Sequence, residues 1–273
     1  MIALTIIFVL IGLAAGAIGS VAGLGGGIFF VPALLYFVNQ YAPGAMTPQI
    51  AAATSLVVIA VTALSSSIAY LRQKKVDTSS ALLFFVGSAP GSVAGVYLNQ
   101  WLEIDSFSLL FGLFQLSMFT LLMVKDRIKP RTLAWDVRRT YINEEGLTAE
   151  YGYQRWMALL TAFFVGVVSS LFGVGGGVLM VPAMIILFRF PPHVATATSM
   201  LVIFLSAVVG SVSNAFYGHI DWLYAAILAP GAWLGGKAGA LIAARLKGKT
   251  VVLLLRLLIL GIAVQMITEA ILE

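Results

Sequence analysis

The chain has 273 residues, of which 60% are hydrophobic and only 10% charged, and its net charge is +5. Such a composition excludes an ordinary soluble domain, because too few polar residues remain to cover a water-facing surface. The absence of cysteine excludes disulfide frameworks, thiolate metal sites and cysteine nucleophiles. The sequence therefore predicts an all-α integral membrane protein embedded in a lipid bilayer.

Ten apolar elements follow one another along the chain, and eight of them approach the about 20 residues that a helix needs to span a bilayer. Two shorter elements, Ile28–Val38 and Val178–Leu187, each follow a triple glycine and reach only about half of that thickness. The eight long segments are Ile2–Ser20, Ile50–Leu71, Ala81–Leu98, Phe107–Val124, Trp156–Phe172, Val194–Tyr217, Trp222–Ala244 and Val251–Leu272. The first segment lacks a basic leader and an obvious cleavage site, so we expect it to stay in the protein.

Fourteen of the 16 Lys and Arg residues lie in the loops that follow the third, fifth, seventh and ninth elements. The loops after the second, fourth and eighth elements carry none. Because cytoplasmic loops retain cations, this pattern predicts that both termini lie outside. The basic excess is thus a topology signal, and we expect no nucleic-acid partner.

An internal repeat joins the two halves of the chain. Gly16–Ala33 aligns with Gly166–Ala183, with nine of eighteen residues identical. Further motifs match in the same order: Ala51–Ser55 with Ala195–Ser199, Asp77 with Asp221, and Ala89–Ser92 with Ala229–Ala232. We therefore predict a first membrane repeat over 1–124, a cytoplasmic connector over 125–155 and a second repeat over 156–273. Since each copy has five elements, the repeats are expected to be inverted, as in many secondary transporters.

The triple glycines are the first candidate substrate-binding positions. A break at Gly25–Gly27 or at Gly175–Gly177 leaves backbone groups unpaired at membrane depth, which requires a protein or water-filled lining. The helices that begin after the breaks would direct N–H groups and partial positive charge toward the middle, an arrangement that suits an anion. The alternative is that the glycines only permit close helix crossing. The candidate residues are Gly25, Gly26, Gly27, Gly175, Gly176 and Gly177.

Hydroxyl and basic side chains complete the predicted site. Thr54, Ser55, Thr198 and Ser199 could donate to anionic oxygens, or merely bond the carbonyls of their own helices. Gln49 and His193 precede these motifs at matching positions, where a loop role competes with a ligand or proton role. Lys237 either attracts the anion or extends its ammonium group toward the membrane–water interface. For Arg256 we expect the side chain to extend toward that interface.

Other motifs have structural explanations. The glycines spaced by four on the fourth and ninth elements predict close helix packing, and Asp77 and Asp221 are expected to be helix N-caps. In the connector, the spacing of Leu133, Val137 and Tyr141 indicates either a short helix on the cytoplasmic leaflet or a plain linker.

The spans lack catalytic and metal-binding groups. No Asp or Glu lies inside a predicted span except Glu269 near the end, so a carboxylate proton relay or a hard-cation cage is not expected. No glycine-lysine phosphate loop is present. We therefore expect neither an enzyme nor a cofactor or metal requirement.

The paired G-x-G-G-G…V-P-A segments, the A-x-A-T-S motifs and the A-P-G motifs resemble the sulfite exporter TauE/SafE family of small bacterial and archaeal transporters. The resemblance spans both halves and stops at the connector. It implies a multi-pass protein of the cytoplasmic membrane that exports sulfite, sulfoacetate or another organosulfonate. The more distant cysteine-dependent thiosulfate importers are a poorer match, because this chain has no cysteine.

The predicted function is export of a small sulfur oxyanion by alternating access. An interior-negative potential favours expulsion of one negative charge by about 2.3 kcal/mol per 100 mV, so no coupling ion is required. The alternatives are an anion channel and a transporter of another small anion. The expected partners are the anion and the bilayer, and a homo-oligomer is compatible with the sequence.

Overall fold

The computed structural model describes residues 2–101, 135–142 and 148–246 without interruption, and isolated residues between 110 and 120 and between 250 and 261. The predicted elements Phe107–Val124 and Val251–Leu272 therefore lie largely outside the described residues. Arg256 and Leu133 lie outside them entirely.

Eight helices account for the other eight predicted elements, which confirms an all-α membrane protein. Six of them are long and apolar enough to cross a bilayer, and two are short. The helices are α1 (Ile2–Ala22), α2 (Gly27–Tyr41), α3 (Pro48–Arg72), α4 (Thr78–Asn99), α5 (Arg155–Phe172), α6 (Gly177–Ile186), α7 (Pro192–Tyr217) and α8 (Trp222–Ala243).

Caps explain where several helices begin. Thr47 accepts a hydrogen bond from the N–H of Ile50, and Pro48 occupies the first turn of α3, where a missing N–H costs nothing. The Asp77 carboxylate accepts from the N–H of Ser80, and that of Asp221 from the N–H groups of Leu223 and Tyr224. Both aspartates are thus N-caps, as predicted.

Helices of one predicted repeat pack mainly against helices of the other. The central pair is α3 and α7, flanked by α1 against α8 and by α4 against α5. The glycine faces provide the flanking contacts: a Cβ added at Gly91 would lie 2.1 Å from the carbonyl oxygen of Phe163, and one added at Gly235 would lie 2.2 Å from that of Leu13. The prediction that these glycines permit close helix packing is confirmed.

The connector forms a β-hairpin rather than a helix. Strand β1 (Val137–Ile142) pairs antiparallel with β2 (Thr148–Tyr153), so the helical alternative for this segment was wrong. A spacing of four places residues on one face of a helix, but it is also a multiple of the two-residue period of a strand. The hairpin attaches to the turn between α6 and α7, where the N–H of Gly152 donates to the carbonyl of Phe188 at 3.1 Å.

Candidate functional site

Both glycine triplets interrupt their helices, as predicted. The chain leaves α1 at Ala22 and resumes a helix at Gly27, and it leaves α5 at Phe172 and resumes at Gly177. Left-handed backbone makes the two turns, and only glycine adopts it without steric cost. The positive φ angles are 76° at Gly23, 78° at Gly25, 92° at Gly26, 66° at Gly173, 81° at Gly175 and 73° at Gly176.

The two breaks pack directly against each other at the centre of the protein. A Cβ added at Gly27 would lie 2.7 Å from the carbonyl oxygen of Gly173, and one added at Gly177 would lie 2.2 Å from that of Gly23. Ile59 of α3 and Ile203 of α7 lie beside both breaks, within 3.3 Å of the Cβ positions at Gly25 and at Gly175.

The expected polar hollow is absent from the point where the breaks meet. Leu24 and Val174 are buried there, with 0% and 2% of their surface exposed, next to the isoleucines. Close glycine contacts exclude water from this point, so any polar space must lie to one side of it.

The four predicted hydroxyls bond to the backbone of the opposite half. Ser55 Oγ donates to the Gly173 carbonyl at 2.8 Å. Ser199 Oγ donates both to the Gly23 carbonyl of the opposite half at 3.0 Å and to the Thr196 carbonyl of its own helix at 2.8 Å. Thr54 Oγ1 and Thr198 Oγ1 accept from the N–H groups of the two aspartate N-caps, both at 3.0 Å. In this conformation the serine protons are committed to carbonyls, so direct anion contact by these four residues stays a prediction.

The other three predicted substrate-binding residues lie away from the glycine breaks. Gln49 lies in the first turn of α3, where its Nε2 is 3.4 Å from the carbonyl oxygen of Asn99. His193 lies in the first turn of α7 and is half-buried. Lys237 lines a separate cavity between α3 and α8. Their roles toward an anion likewise stay predictions.

A small cavity lies beside the second break, and most of its lining surface is apolar. It measures about 10 Å³, room for roughly one water molecule. Three serines from three helices line it together with Gly175 and Gly176: Ser88 of α4, Ser169 of α5 and Ser206 of α7.

Hydrogen-bond donors lie at or near the edge of this cavity. Ser169 is 4% exposed, and its hydroxyl has no hydrogen-bond partner in the part of the chain that the structure describes. A Cβ added at Gly176 would lie 3.2 Å from Ser169 Oγ. Among the described residues the N–H groups from Gly175 to Val178 also have no acceptor. Successive free N–H groups at a left-handed turn form an anion-binding concavity.

The first break is packed differently at the position equivalent to Ser169. Gly19 occupies the position equivalent to Ser169, and a Cβ there would lie 2.2 Å from the backbone nitrogen of Gly26. The N–H of Gly25 donates to the Gly19 carbonyl at 3.3 Å. The two breaks therefore differ at this position: glycine lies against glycine at the first break, and a serine hydroxyl lies beside Gly176 at the second.

The three serines were not predicted from the sequence. They come from separate elements, and only the fold brings them to one cavity. One signal was available: within the aligned motifs, Gly19 pairs with Ser169, so a hydroxyl replaces a hydrogen in the second copy alone.

The hairpin covers one end of this region, beside the start of α4. Tyr151 donates to the carboxylate of Asp77 at 3.1 Å, and Arg139 lies 3.7 Å from the same oxygen. Ser80 Oγ lies 2.9 Å from the Tyr153 hydroxyl. Burial, and then the Asp77 charge, raise the pKa of Tyr151 above its ordinary value. The phenol therefore remains a hydrogen-bond donor at neutral pH.

An aromatic cluster fills the space beneath the hairpin. The rings of Tyr151 and Phe190 lie 4.4 Å apart, and those of Phe84 and Tyr153 lie 5.5 Å apart. Phe188 joins the same group. Phe84 of this cluster lies one turn of α4 before Ser88, which lines the cavity.

No charged side chain lines this cavity among the described residues. Within the described ranges no group of three or more His, Asp or Glu side chains is placed to hold a metal ion. The cavity is lined by hydroxyls, backbone N–H groups and apolar side chains. Such donors hold an anion without fixing it as strongly as a buried cation would.

The chain is similar to known membrane transporters. A family model described as sulfite exporter TauE/SafE matches residues 8–266. The chain is 47% identical, over 97% of its length and 98% of the relative, to the probable membrane transporter protein YunE of Bacillus subtilis. It is 32% identical to a probable membrane transporter protein of Xylella fastidiosa, over 87% of this chain and 82% of that one. No solved structure matches the chain.

Proposed function

Because this multi-pass chain belongs to the sulfite exporter TauE/SafE family of membrane transporters, we propose that it exports a small sulfur oxyanion, sulfite or an organosulfonate, by alternating access. The cytoplasmic membrane of a bacterium or archaeon is the proposed location, with both termini outside. The observation that carries the proposal is the serine-lined cavity at the left-handed glycine break before α6.

The donor set matches a tetrahedral or pyramidal oxyanion. The unpaired N–H groups at the start of α6 supply about half a positive charge, and the unpartnered Ser169 hydroxyl adds a directed donor. No buried cation lines the cavity, so a bound anion is only partly neutralised. Partial compensation suits a transporter, since the anion must also leave.

The predicted inverted repeats support alternating access. In inverted repeats, the two copies exchange conformations when the transporter changes sides. At the first break Gly19 lies against Gly26, while the second has a cavity beside Ser169. With room for roughly one water molecule, the described conformation corresponds to an occluded state without space for a sulfonate. Substrate entry then requires the aromatic cluster below the hairpin to move.

The test is sulfite efflux from proteoliposomes that contain the full chain, with an imposed potential. We expect Ser169→Ala to lower efflux by about tenfold or more, the effect of losing one hydrogen bond to a charged group. Ser213→Ala is the matched control, because Ser213 on α7 donates within its own helix to the carbonyl of Val209. Equal efflux by Ser169→Ala and the parent would disprove this site.

Two further measurements define substrate and mechanism. Sulfoacetate, taurine, sulfate and thiosulfate are tested as competitors of sulfite efflux. Trans-stimulation by external sulfite is expected of an alternating-access transporter, because a loaded carrier returns faster than an empty one. Efflux that rises linearly with sulfite concentration and shows no trans-stimulation would indicate an anion channel instead.

A further inference from the structure

A second cavity, remote from the glycine breaks, lies between α3 and α8. It measures about 330 Å³, within the range of small-molecule sites. Two cations and an amide line it together with apolar groups: Arg72, Gln73, Lys237, Ile68, Trp233 and Leu241.

The two cations have no counter-ion in the described part of the chain. Within residues 2–101, 135–142 and 148–246, neither Arg72 nor Lys237 forms a salt bridge or a hydrogen bond. Two positive charges in one partly apolar cavity repel each other and favour an anionic occupant.

The side-chain amide of Gln73 leaves a hydrogen-bond acceptor in the cavity without a donor. Gln73 Nε2 donates to the carbonyl of Ala240 at 3.3 Å, while its Oε1 is buried and has no partner in the described residues. A buried acceptor without a donor costs free energy. The cavity therefore suits an occupant that carries both an anionic group and a hydroxyl.

The cavity opens sideways toward lipid. Ile68, Trp233 and Leu241 at its rim are exposed apolar side chains, and the helices around them are membrane-spanning. Lys237 lies six residues before the end of α8, or about 9 Å at 1.5 Å per residue. Arg72 is the last residue of α3. These depths correspond to the boundary between headgroups and acyl chains.

The equivalent positions in the other half are not basic. The repeat pairs Arg72 with Phe216 and Lys237 with Tyr97, so the fold itself does not require cations here. Only the membrane side differs between the two places. The predicted topology puts the basic pair at the cytoplasmic leaflet, whose anionic lipids attract Lys and Arg.

We propose that this cavity binds the headgroup of an anionic phospholipid from the cytoplasmic leaflet. Arg72 and Lys237 contact the phosphate, and Gln73 Oε1 accepts a hydrogen bond from a headgroup hydroxyl. Trp233 and Leu241 pack along the first carbons of an acyl chain. Phosphatidylglycerol has all of these features.

The test is native mass spectrometry of the delipidated full chain titrated with phosphatidylglycerol or with phosphatidylcholine of the same acyl chains. Each cation near an anionic lipid contributes about 1 kcal/mol, or about a fivefold gain in affinity. With two cations, we expect the first phosphatidylglycerol to bind about 30-fold more tightly than the first phosphatidylcholine. Arg72→Gln and Lys237→Gln should each lower this preference by about fivefold, and the double variant should abolish it. Arg72→Lys should retain most of it.

Arg245→Gln is the matched control, since Arg245 is a described, exposed cation near the same end of α8 but does not line the cavity. We expect it to retain the parent's preference. An unchanged preference in the double variant, or an equal loss in Arg245→Gln, would overturn the proposal. Displacement of the lipid by millimolar inorganic phosphate would also overturn it and indicate a soluble-anion site.

Discussion

Thr54 Oγ1 accepts a hydrogen bond of 3.0 Å from the backbone N–H of Asp221. Thr198 Oγ1 accepts one of the same length from the N–H of Asp77. Each bond joins a central helix of one half to the N-cap of a helix in the other half. The two threonines are completely buried, with 0% exposure, so water cannot replace them as acceptors.

Thr54→Val should therefore destabilise the protein. Valine keeps the shape but leaves the N–H of Asp221 buried without an acceptor, at a cost of about 1–3 kcal/mol. The free energy of unfolding is measured by SDS titration in mixed micelles. Thr62→Val, on the same helix, should remain close to the parent, because Thr62 donates only to the Val58 carbonyl of its own helix.

Gly173→Ala should be more damaging than Gly218→Ala, although both residues have a positive φ. Alanine in left-handed backbone costs about 1–2 kcal/mol at either position. At Gly173 the new Cβ would also lie 2.4 Å from the Cα of Ala52, whereas at Gly218 it meets nothing within 4 Å. Overpacking adds about 1–3 kcal/mol to the first variant alone. Equal loss in the same SDS titration would contradict the close meeting of the breaks.

The hairpin contact should weaken at alkaline pH. Burial first, and Asp77 second, raise the pKa of Tyr151 above 10.0. The contribution of the Tyr151 phenol to hairpin docking is therefore complete below pH 10. It falls above that pH, where the phenol of an undocked hairpin ionises, and it is lost as the pH passes the higher pKa of the phenol in the docked hairpin. Asp77→Asn should lower the pKa of Tyr151. Tyrosinate absorbance, with Tyr151→Phe subtracted, measures this shift, and an unchanged pKa in Asp77→Asn would count against the contact.

The topology can be tested with single cysteines, because the natural chain has none. Ala45 lies exposed in the turn between α2 and α3, and Thr140 lies exposed in β1. In whole cells an impermeant maleimide should label Ala45→Cys directly and Thr140→Cys only after permeabilisation. The reverse pattern would place the hairpin outside and invert the predicted orientation.

The helices were predictable because apolar length, Asp and Thr caps, and glycine breaks act locally. The cap at Asp77 and the break before Gly177 each depend on a few neighbouring residues. The packing of glycine faces was also predictable, since a spacing of four aligns residues on one side of a helix.

The candidate site was harder to predict for two physical reasons. A sequence does not show which acceptor a hydroxyl chooses, and Ser55 and Ser199 bond to carbonyls of the opposite half. The cavity around Ser169 needs side chains from three helices, and only the fold brings these together. In the hairpin, the spacing of Val137 and Tyr141 fits a strand as well as a helix.

Ile59 and Ile203 have a mechanical consequence. Each side chain lies against both glycine breaks at once, so neither break can shift without pushing on an isoleucine that also supports the other. The two halves are thereby mechanically coupled through a pair of branched side chains. Such coupling would prevent the protein from opening to both sides of the membrane at the same time, and would thus prevent a leak of ions down the membrane potential.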